Sequence, residues 1–404
     1  MTRFDFGTWL LLMHYAQCWT RERGPATLVV FIPNSHVVAD LAKHICPNVE
    51  LIVFNNPFSR AIFFLFRREL VQYFTLNPIY AHACCQWPQA LYIFDMTFSR
   101  TKPENIASYI SCFDPVLKTD WPFSATFRRT YIQIREQYDY RRPVYQDMIS
   151  LFYKTASKQL PKPSFLQELR QLFDIESPYV VMNLNCKDYR NNQRNNRRIN
   201  HPERYNGLID LLISKGYSVV LQGRNEQPHF THRKGLVNYF SSPHVSPAAD
   251  FKVYSNAAFA ILPKTGPEVF GTICNIPVLG LNYTELSAIV PKSRCRFYPK
   301  HLWDTRKNEF IHWKELLQRP CFYDVGTLSF EPGIEYVEMS EEELIDAGEE
   351  FLGLLSQPYE QWNMHSHLQE EFKKSLHPAH IDLYDVTEVP CNAYLASRKY
   401  SNEN

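Results

Sequence analysis

The chain has 404 residues, 45% hydrophobic and 21% charged, with 43 Lys and Arg set against 42 Asp and Glu for a net charge of +1. Length and composition describe a globular protein of two or three domains. So even a charge balance excludes a protein built chiefly to neutralise nucleic acid or another acidic polymer, and no nucleic-acid partner is expected.

Ten cysteines are scattered without a C-x-x-C pair, Cys84 and Cys85 alone being adjacent, which excludes a zinc framework and a disulfide-stapled scaffold. Cysteines in apolar patterns pack as small hydrophobes, and a reducing cytoplasm is the expected compartment. The run Trp9 to Met13 is too short for a signal segment. No stretch approaches the ~20 apolar residues of a transmembrane helix, so membrane contact is expected only as peripheral attachment at the inner face. Aromatic residues are abundant, with 24 Tyr and 28 Phe. Their faces suit sugar stacking, although most belong to the core.

In chain order, residues 1–6 are expected as a short strand ending at Asp5, with Gly7 as its turn and Thr8 to Glu22 as a helix stopped by Gly24. Thr27 to Ile32 (TLVVFI) predicts a strand, Ser35 to Ile45 a helix and Glu50 to Phe54 a strand, an alternation that implies a parallel sheet. Ser59 to Phe74 predicts an amphipathic helix with Arg60, Arg67 and Arg68, packed on its own sheet or lying on a membrane surface. Leu91 to Phe94 predicts a strand ending at Asp95. The region 103–127 is irregular, and Tyr131 to Gln159 is largely helical with a break at Pro143.

Lys158 to Ser164 (KQLPKPS) marks a domain boundary. Beyond it come a helix, Phe165 to Phe173, and a strand, Tyr179 to Asn183, followed by a long polar loop from Asn185 to Pro202. A helix, Glu203 to Lys215, and strands Ser218 to Leu221 and Leu236 to Phe240 follow. Next are a short helix, Asp250 to Asn256, a strand, Phe259 to Leu262, a helix, Val269 to Cys274, and a strand, Pro277 to Leu281. This is a second doubly wound α/β pattern. Regularity falls after Asn282. Ser340 and Glu343 form a capping-box pattern for a helix reaching Leu355, Gln357 to Ser375 predicts another helix, and the tail from His377 is polar and expected to be partly loose.

Three polar segments follow strand C-termini in this second half: the loop after Asn183 with Asn185, Lys187, Arg197 and Arg198; Gln222-Gly223-Arg224; and the turn Lys264-Thr265-Gly266-Pro267-Glu268. Thr265 and Pro267 suit a helix start whose free N–H groups face the crevice. Arginines, lysines and such N–H groups together suit a diphosphate, and Glu268 suits a ribose diol. The competing reading is a solvated arginine loop and two ordinary capped turns. G-x-G-x-x-G, the P-loop pattern and D-x-D are all absent, which argues against a dinucleotide site, a P-loop and a metal-held nucleotide. His229 with His232, and His365 with His367, lack the partners of a metal site, so no metal and no cofactor are expected.

From about Tyr179 to Leu355 the sequence resembles a family of bacterial glycosyltransferases of the two-Rossmann (GT-B) type associated with surface-polysaccharide biosynthesis. The matching pieces are NLNCKDY at 183–189, RRIN-x4-Y ending at Tyr205, GYSVVLQGR at 216–224, the stretch at 249–282 and EEELIDAGEEFLGLL at 341–355. The resemblance implies two Rossmann-like doubly wound domains facing a cleft, with C-terminal helices. Residues 1–160 would receive the acceptor, 161–355 would bind a nucleotide-sugar, and 356–404 would add a helix and tail. The implied reaction moves a sugar from the nucleotide-sugar to a glycan or lipid-linked acceptor.

Many retaining members of that class carry a carboxylate pair spaced E-x7-E. Here Glu268 opens the spacing and Ile276 closes it, which tilts the expectation to inversion, with one base deprotonating the acceptor hydroxyl. Asp5 and Asp95, at strand ends of the first half, are the candidate bases, ahead of His14 and His36. Thr8 stands where relatives commonly have a histidine. The rival readings are a nucleotide-sugar epimerase of the same fold and a catalytically degenerate glycan-binding or interaction protein.

Overall fold

The computed structural model describes residues 10, 13–14, 17–18, 20–22, 27–30 and 41–53 of the first half. Of the second it describes 165–176, 178–185, 199–223, 230, 233–284, 294–317, 333–358, 362, 366–376 and 389–400. The elements predicted at 1–6, 59–74, 91–94 and 131–159 lie outside these residues, as does the irregular region 103–127. The chain divides into two compact units, Met1–Lys158 and Gln159–Asn404.

In the first unit β1 (Thr27–Val30) and β2 (Glu50–Val53) pair in parallel, Thr27 facing Glu50 and Val30 facing Val53. Residues 41–45 between them are helical, and Leu41, Ala42 and Ile45 bury the face they share. A parallel pair needs such a crossover, because a tight turn returns the chain antiparallel. Leu10, Met13 and Cys18 are buried on the preceding helical segment. His14 lies there too, its Nε2 3.7 Å from Cys18 Sγ.

The second unit is organised by a parallel sheet in the order β12-β8-β7-β6-β3-β4-β5. Its strands are β3 (Tyr179–Asn183), β4 (Ser218–Gln222), β5 (Leu236–Asn238), β6 (Phe259–Leu262), β7 (Val278–Tyr283), β8 (Cys295–Pro299) and β12 (Val389–Pro390). β3, β6, β7 and β8 are buried along their whole length, as a sheet covered on both faces requires. Counted from β3, the first six strands run 3-2-1-4-5-6, the doubly wound order. The winding reverses between β3 and β6.

Around the sheet lie α1 (Leu166–Phe173), α2 (Asn206–Ser214), α3 (Pro247–Asn256), α4 (Glu268–Ile273), α5 (Trp313–Leu317), α6 (Glu341–Leu355), α7 (His367–Ser375) and α8 (Asn392–Leu395). α6 opens with the predicted capping box: Ser340 Oγ accepts from Glu343 N, and Glu343 Oε2 accepts from Ser340 N. α2 packs closely on α6, and a Cβ on Gly348 would stand 2.5 Å from Leu208 Cδ1.

Several expectations need correcting. α3 starts at Pro247, not Asp250, because Ser246 Oγ accepts from Ala249 N and Pro247 suits the first helical position. The third strand stops at Asn238, and Tyr239–Ser241 turns as a 3-10 helix that sends the Tyr239 hydroxyl to Asp250 Oδ1 at 2.9 Å. α7 begins at His367, where Ser366 and Gln369 form a second capping box, and does not reach back to Gln357.

Regularity continues past Asn282. β8 pairs with β7, and β9 (His301–Asp304) is flanked antiparallel by β10 (Glu309–Phe310) and β11 (Ile334–Val337). The tail returns as well: β12 adds to β8, and Glu350 receives the N–H groups of Asn392 and Ala393 at 2.8 and 2.9 Å. Among the described residues no helix is long and apolar enough to cross a membrane.

His301, the first residue of β9, is wholly buried where this tail docks. Its Nε2 lies 2.8 Å from Glu343 Oε1 and its Nδ1 2.8 Å from the Tyr400 hydroxyl. Lys399 Nζ reaches Glu343 Oε2 at 2.7 Å, and Tyr298, Tyr394 and Phe310 pack against the imidazole. Burial pushes His301 below the ordinary histidine range, more than the pull of Glu343 raises it, with Lys399 adding to the depression. The unfolded chain therefore takes up a proton at about pH 6.5 that the folded chain refuses, so this part of the stability is present above that pH and is lost as pH falls below it. The urea midpoint is expected to fall on going from about pH 7 to pH 5, and His301→Asn to flatten that slope. An identical slope in the variant would show that His301 does not carry it.

Candidate functional site

The strand order gives the second unit one distinctive place. In a doubly wound sheet the crossovers from the two strands at the reversal leave to opposite faces, which opens a crevice outside their C-terminal ends. Here those strands are β3 and β6, with β4 beside β3. The described parts of all three sequence-predicted segments emerge from these three ends: Leu184 and Asn185 after β3, Gln222 and Gly223 at the end of β4, and Lys264 to Glu268 after β6. Lys187, Arg197, Arg198 and Arg224, and the candidate bases Asp5 and Asp95, lie outside the described residues.

Asn183 and Gln222 are register partners, and Asn183 Nδ2 donates to Gln222 Oε1. The Tyr254 hydroxyl donates to the same oxygen at 3.1 Å. Both carboxamides are buried, so they join two strand ends and leave Gly223 as the edge of β4 toward the crevice.

Lys264 and Glu268 are also buried, each 3% exposed, with Nζ 3.1 Å from Oε1. The Tyr283 hydroxyl donates to the same carboxylate oxygen at 2.9 Å, and Lys264 Nζ stands 4.8 Å from the Tyr283 ring centre. A buried ion pair needs such extra partners to offset the loss of water. Gly280 makes the arrangement possible, since a Cβ there would fall 2.3 Å from Tyr283 Cζ.

The turn between these residues differs from the expected helix cap. Thr265 Oγ1 turns back to the Pro263 carbonyl at 3.4 Å, and Pro267 stands at the cap position without a side-chain bond. The N–H groups of Glu268, Val269 and Phe270 close onto the carbonyls of Thr265, Gly266 and Pro267 at 3.0, 3.2 and 3.0 Å. They are not free donors facing a crevice. The half-buried tip, Thr265 and Gly266, holds the N–H groups that make no hydrogen bond among the described residues.

A second polar cluster stands on the same edge, and sequence reasoning missed it. Lys300 follows directly on β8, and its N–H bonds the Tyr283 carbonyl at 2.8 Å. Its Nζ donates to the Ile199 carbonyl at 2.6 Å and to Glu338 Oε1 at 3.3 Å. Burial pushes Lys300 below the ordinary lysine range, and Glu338 pulls it back up. Glu338 Oε2 accepts the His201 backbone N–H at 3.0 Å, and Oε1 lies 2.8 Å from His201 Nδ1. Asn200 N bonds Asn185 O at 2.8 Å and so closes the base of the polar loop. Asn282, in the left-handed conformation at φ 55°, donates to the Tyr205 hydroxyl and accepts from Met339 N. Nothing local marks this group, because 137 residues separate His201 from Glu338.

His14, one of the weaker candidate bases, is buried and pushed down to about 4, first by burial and then by the charge of Arg21. Among the described residues no group of three or more His, Cys, Asp or Glu is placed to hold a metal ion.

No family model matches the chain, and no curated protein matches it. Among solved structures it is similar to the crystal structure of a glycosyl transferase family 9 protein from Veillonella parvula. The identity is 12%, with 87% of this chain and 99% of that chain covered, at a TM-score of 0.36. A superposition so loose leaves the fold to be read from this chain's own strand order.

The Lys264–Glu268 pair allows a direct test. Lys264→Met or Glu268→Leu alone removes one charge of a buried ion pair and is expected to cost about 3–5 kcal/mol in urea unfolding. The double variant should lose well under the sum of the two. Strict additivity would show that the two charges do not depend on each other.

Proposed function

We propose that this chain is a glycosyltransferase that binds a nucleotide-sugar at the β4-β3-β6 edge of its second unit. The observation that supports the ligand site is the reversal of winding between β3 and β6, at which the polar segments after both strands emerge. Sugar transfer as the reaction rests on the sequence resemblance to two-Rossmann glycosyltransferases across 179–355. In this proposal Lys187, Arg197, Arg198 and Arg224 neutralise the diphosphate, helped by the N–H groups of Thr265 and Gly266, while Asn185 and Gly223 border the crevice. Gln222 supports the edge from beneath. The Lys264–Glu268 pair with Tyr283 forms the floor under Thr265 to Pro267 and fixes the shape of the turn.

The reaction is a metal-independent transfer to a glycan or lipid-linked acceptor, in the service of surface-polysaccharide synthesis at the cytoplasmic face of the membrane. Ile276, buried where a second carboxylate would stand, favours inversion. A base takes the proton of the acceptor hydroxyl, its oxygen bonds the anomeric carbon, and the bond to the diphosphate breaks with the electron pair leaving on the nucleotide. Positioning and stabilisation of the departing diphosphate supply most of the acceleration. The first unit receives the acceptor, with Asp5 and Asp95 nominated by the sequence as bases.

Calorimetric titration with a panel of nucleoside diphosphates tests the donor site. At least one is expected to bind, and the corresponding nucleoside to bind more weakly. Arg198→Ala and Arg224→Ala are each expected to weaken the diphosphate by about tenfold or more, the worth of a charge-assisted hydrogen bond, while leaving the nucleoside unchanged. A folded chain that binds none of the panel would overturn the proposal. Binding by a chain that turns over no nucleotide-sugar would favour the glycan-binding reading instead.

A further inference from the structure

We infer that His201 is the proton acceptor of this site, with Glu338 and Lys300 as its positioning residues. The inference rests on the glycosyl-transfer reading for its substrate, a hydroxyl-bearing acceptor, and on the geometry of three side chains for everything else. His201 belongs to the segment that leaves β3, the first strand at the winding reversal. Asn200 is tied to Asn185 just past that strand, and the Ile199 carbonyl is tied to Lys300 at the end of β8. His201 therefore stands over the same C-terminal edge as the crevice.

Among the described residues the imidazole is held from one side only. Glu338 grips it with both oxygens, Oε2 taking the backbone N–H at 3.0 Å and Oε1 standing 2.8 Å from Nδ1. Pro202 follows directly, and a residue before proline is kept extended, as His201 is with φ −87° and ψ 106°. The carboxylate side chain is 7% exposed and the imidazole side chain 59% exposed. A buried carboxylate thus orients an exposed ring whose Nε2 makes no hydrogen bond among the described residues.

The tautomer follows from the bonding. A carboxylate oxygen accepts, so in the neutral ring Nδ1 carries the proton and Nε2, on the other side of the ring, keeps its lone pair. This is the arrangement in which a carboxylate holds an imidazole ready to take a proton from a hydroxyl. Nε2 takes the proton of the acceptor hydroxyl, the oxygen bonds the anomeric carbon, and the nucleoside diphosphate leaves with the electron pair of the broken bond. The charge that arises on the ring faces Glu338.

Among the described residues, the charged groups bonded to Glu338 beside the ring are Lys300, which shares Oε1 at 3.3 Å, and Arg204, whose Nη1 donates to the Glu338 and Met339 carbonyls at 3.4 and 3.2 Å. Lys300 balances Glu338 in the resting state, and Arg204 fixes the backbone that carries the carboxylate. The sequence nominates Asp5 and Asp95 for the same proton, so the three candidates compete in one experiment.

The test has two arms on the full chain. A long-range proton–nitrogen NMR spectrum of the neutral ring is expected to show His201 protonated on Nδ1 and bare on Nε2. A ring protonated on Nε2 alone would overturn the inference. In the second arm, release of nucleoside diphosphate from a panel of nucleotide-sugars is followed with added glycan or lipid-linked acceptors. His201→Gln is expected to lower kcat by about 100-fold or more and to keep the wild-type Kd for the nucleoside diphosphate. Glu338→Gln is expected to lower kcat with the donor KM unchanged, an effect that a merely structural role would not produce. If His201→Gln turns over like wild type while Asp5→Asn or Asp95→Asn does not, the inference fails and the transferase reading stands. If the wild-type chain binds no nucleoside diphosphate at all, both fall together.

Discussion

Everything functional in the second unit depends on one constraint, the opposed exit of two neighbouring parallel strands. A parallel strand cannot turn back on itself, so each must pass its chain to a crossover on one face of the sheet. Where β3 and β6 meet, the crossovers part to opposite faces, the arrangement that opens a crevice in a doubly wound sheet. The backbone there has lost the ladder, so its polar groups need other partners. Polar side chains are also drawn together along that edge: Asn183 with Gln222 and Tyr254, Lys264 with Glu268 and Tyr283, and Lys300 with Glu338 and His201. The opening is therefore bordered by a polar framework that is itself largely satisfied.

The two buried lysines use the same chemistry toward different ends. Lys264 and Glu268 are equally buried, and Tyr283 closes their third side by hydrogen bond and by ring face. The two residues bracket the turn from Thr265 to Pro267. Lys300 and Glu338 are just as buried, yet the carboxylate spends its remaining capacity on an exposed imidazole. Charge buried for structure is thereby coupled to a titratable ring facing water. Geometry separates a pair closed by a tyrosine from one that ends on an exposed ring, which composition alone does not do.

The legibility of the fold follows the same division between local and distant causes. β3, β4 and β6 were readable because YVVMN, SVVLQ and FAIL are short apolar runs bounded by polar turns, and α6 because Ser340 and Glu343 form a box within four residues. β8 was not, because CRFYP contains an arginine and a proline. Arg296 lies buried in the sheet only because the Cys295 and Trp362 carbonyls receive its guanidinium at 3.2 and 2.8 Å. β12 owes its existence to the edge of β8, nearly a hundred residues upstream. The candidate site divides alike: the polar turns after β3, β4 and β6 were visible one by one, while the cluster of His201, Lys300 and Glu338 exists only in three dimensions. Thr265 and Ser246 show the limit of capping signals, since the overlooked serine caps a helix and the chosen threonine bonds its own turn.

Glu343 shows how far the second unit relies on single carboxylates to join distant pieces of chain. One oxygen receives the Ser340 N–H that starts α6 and the Lys399 ammonium from the returning tail, while the other receives His301 and Tyr298 from the sheet. Glu338 does the same five residues earlier for the segment leaving β3 and the residue following β8. Between them Met339 donates its N–H to Asn282 at the end of β7. The stretch from Glu338 to Glu343 is thus a seam: its side chains cap a helix and hold the end of β8 and the start of β9, and its backbone holds the end of β7. Where the partners are buried, as at Lys300 and Glu338, such bonds are costly to break. The imidazole presented at the crevice is held by that seam, so its orientation is set by the same contacts that close the fold.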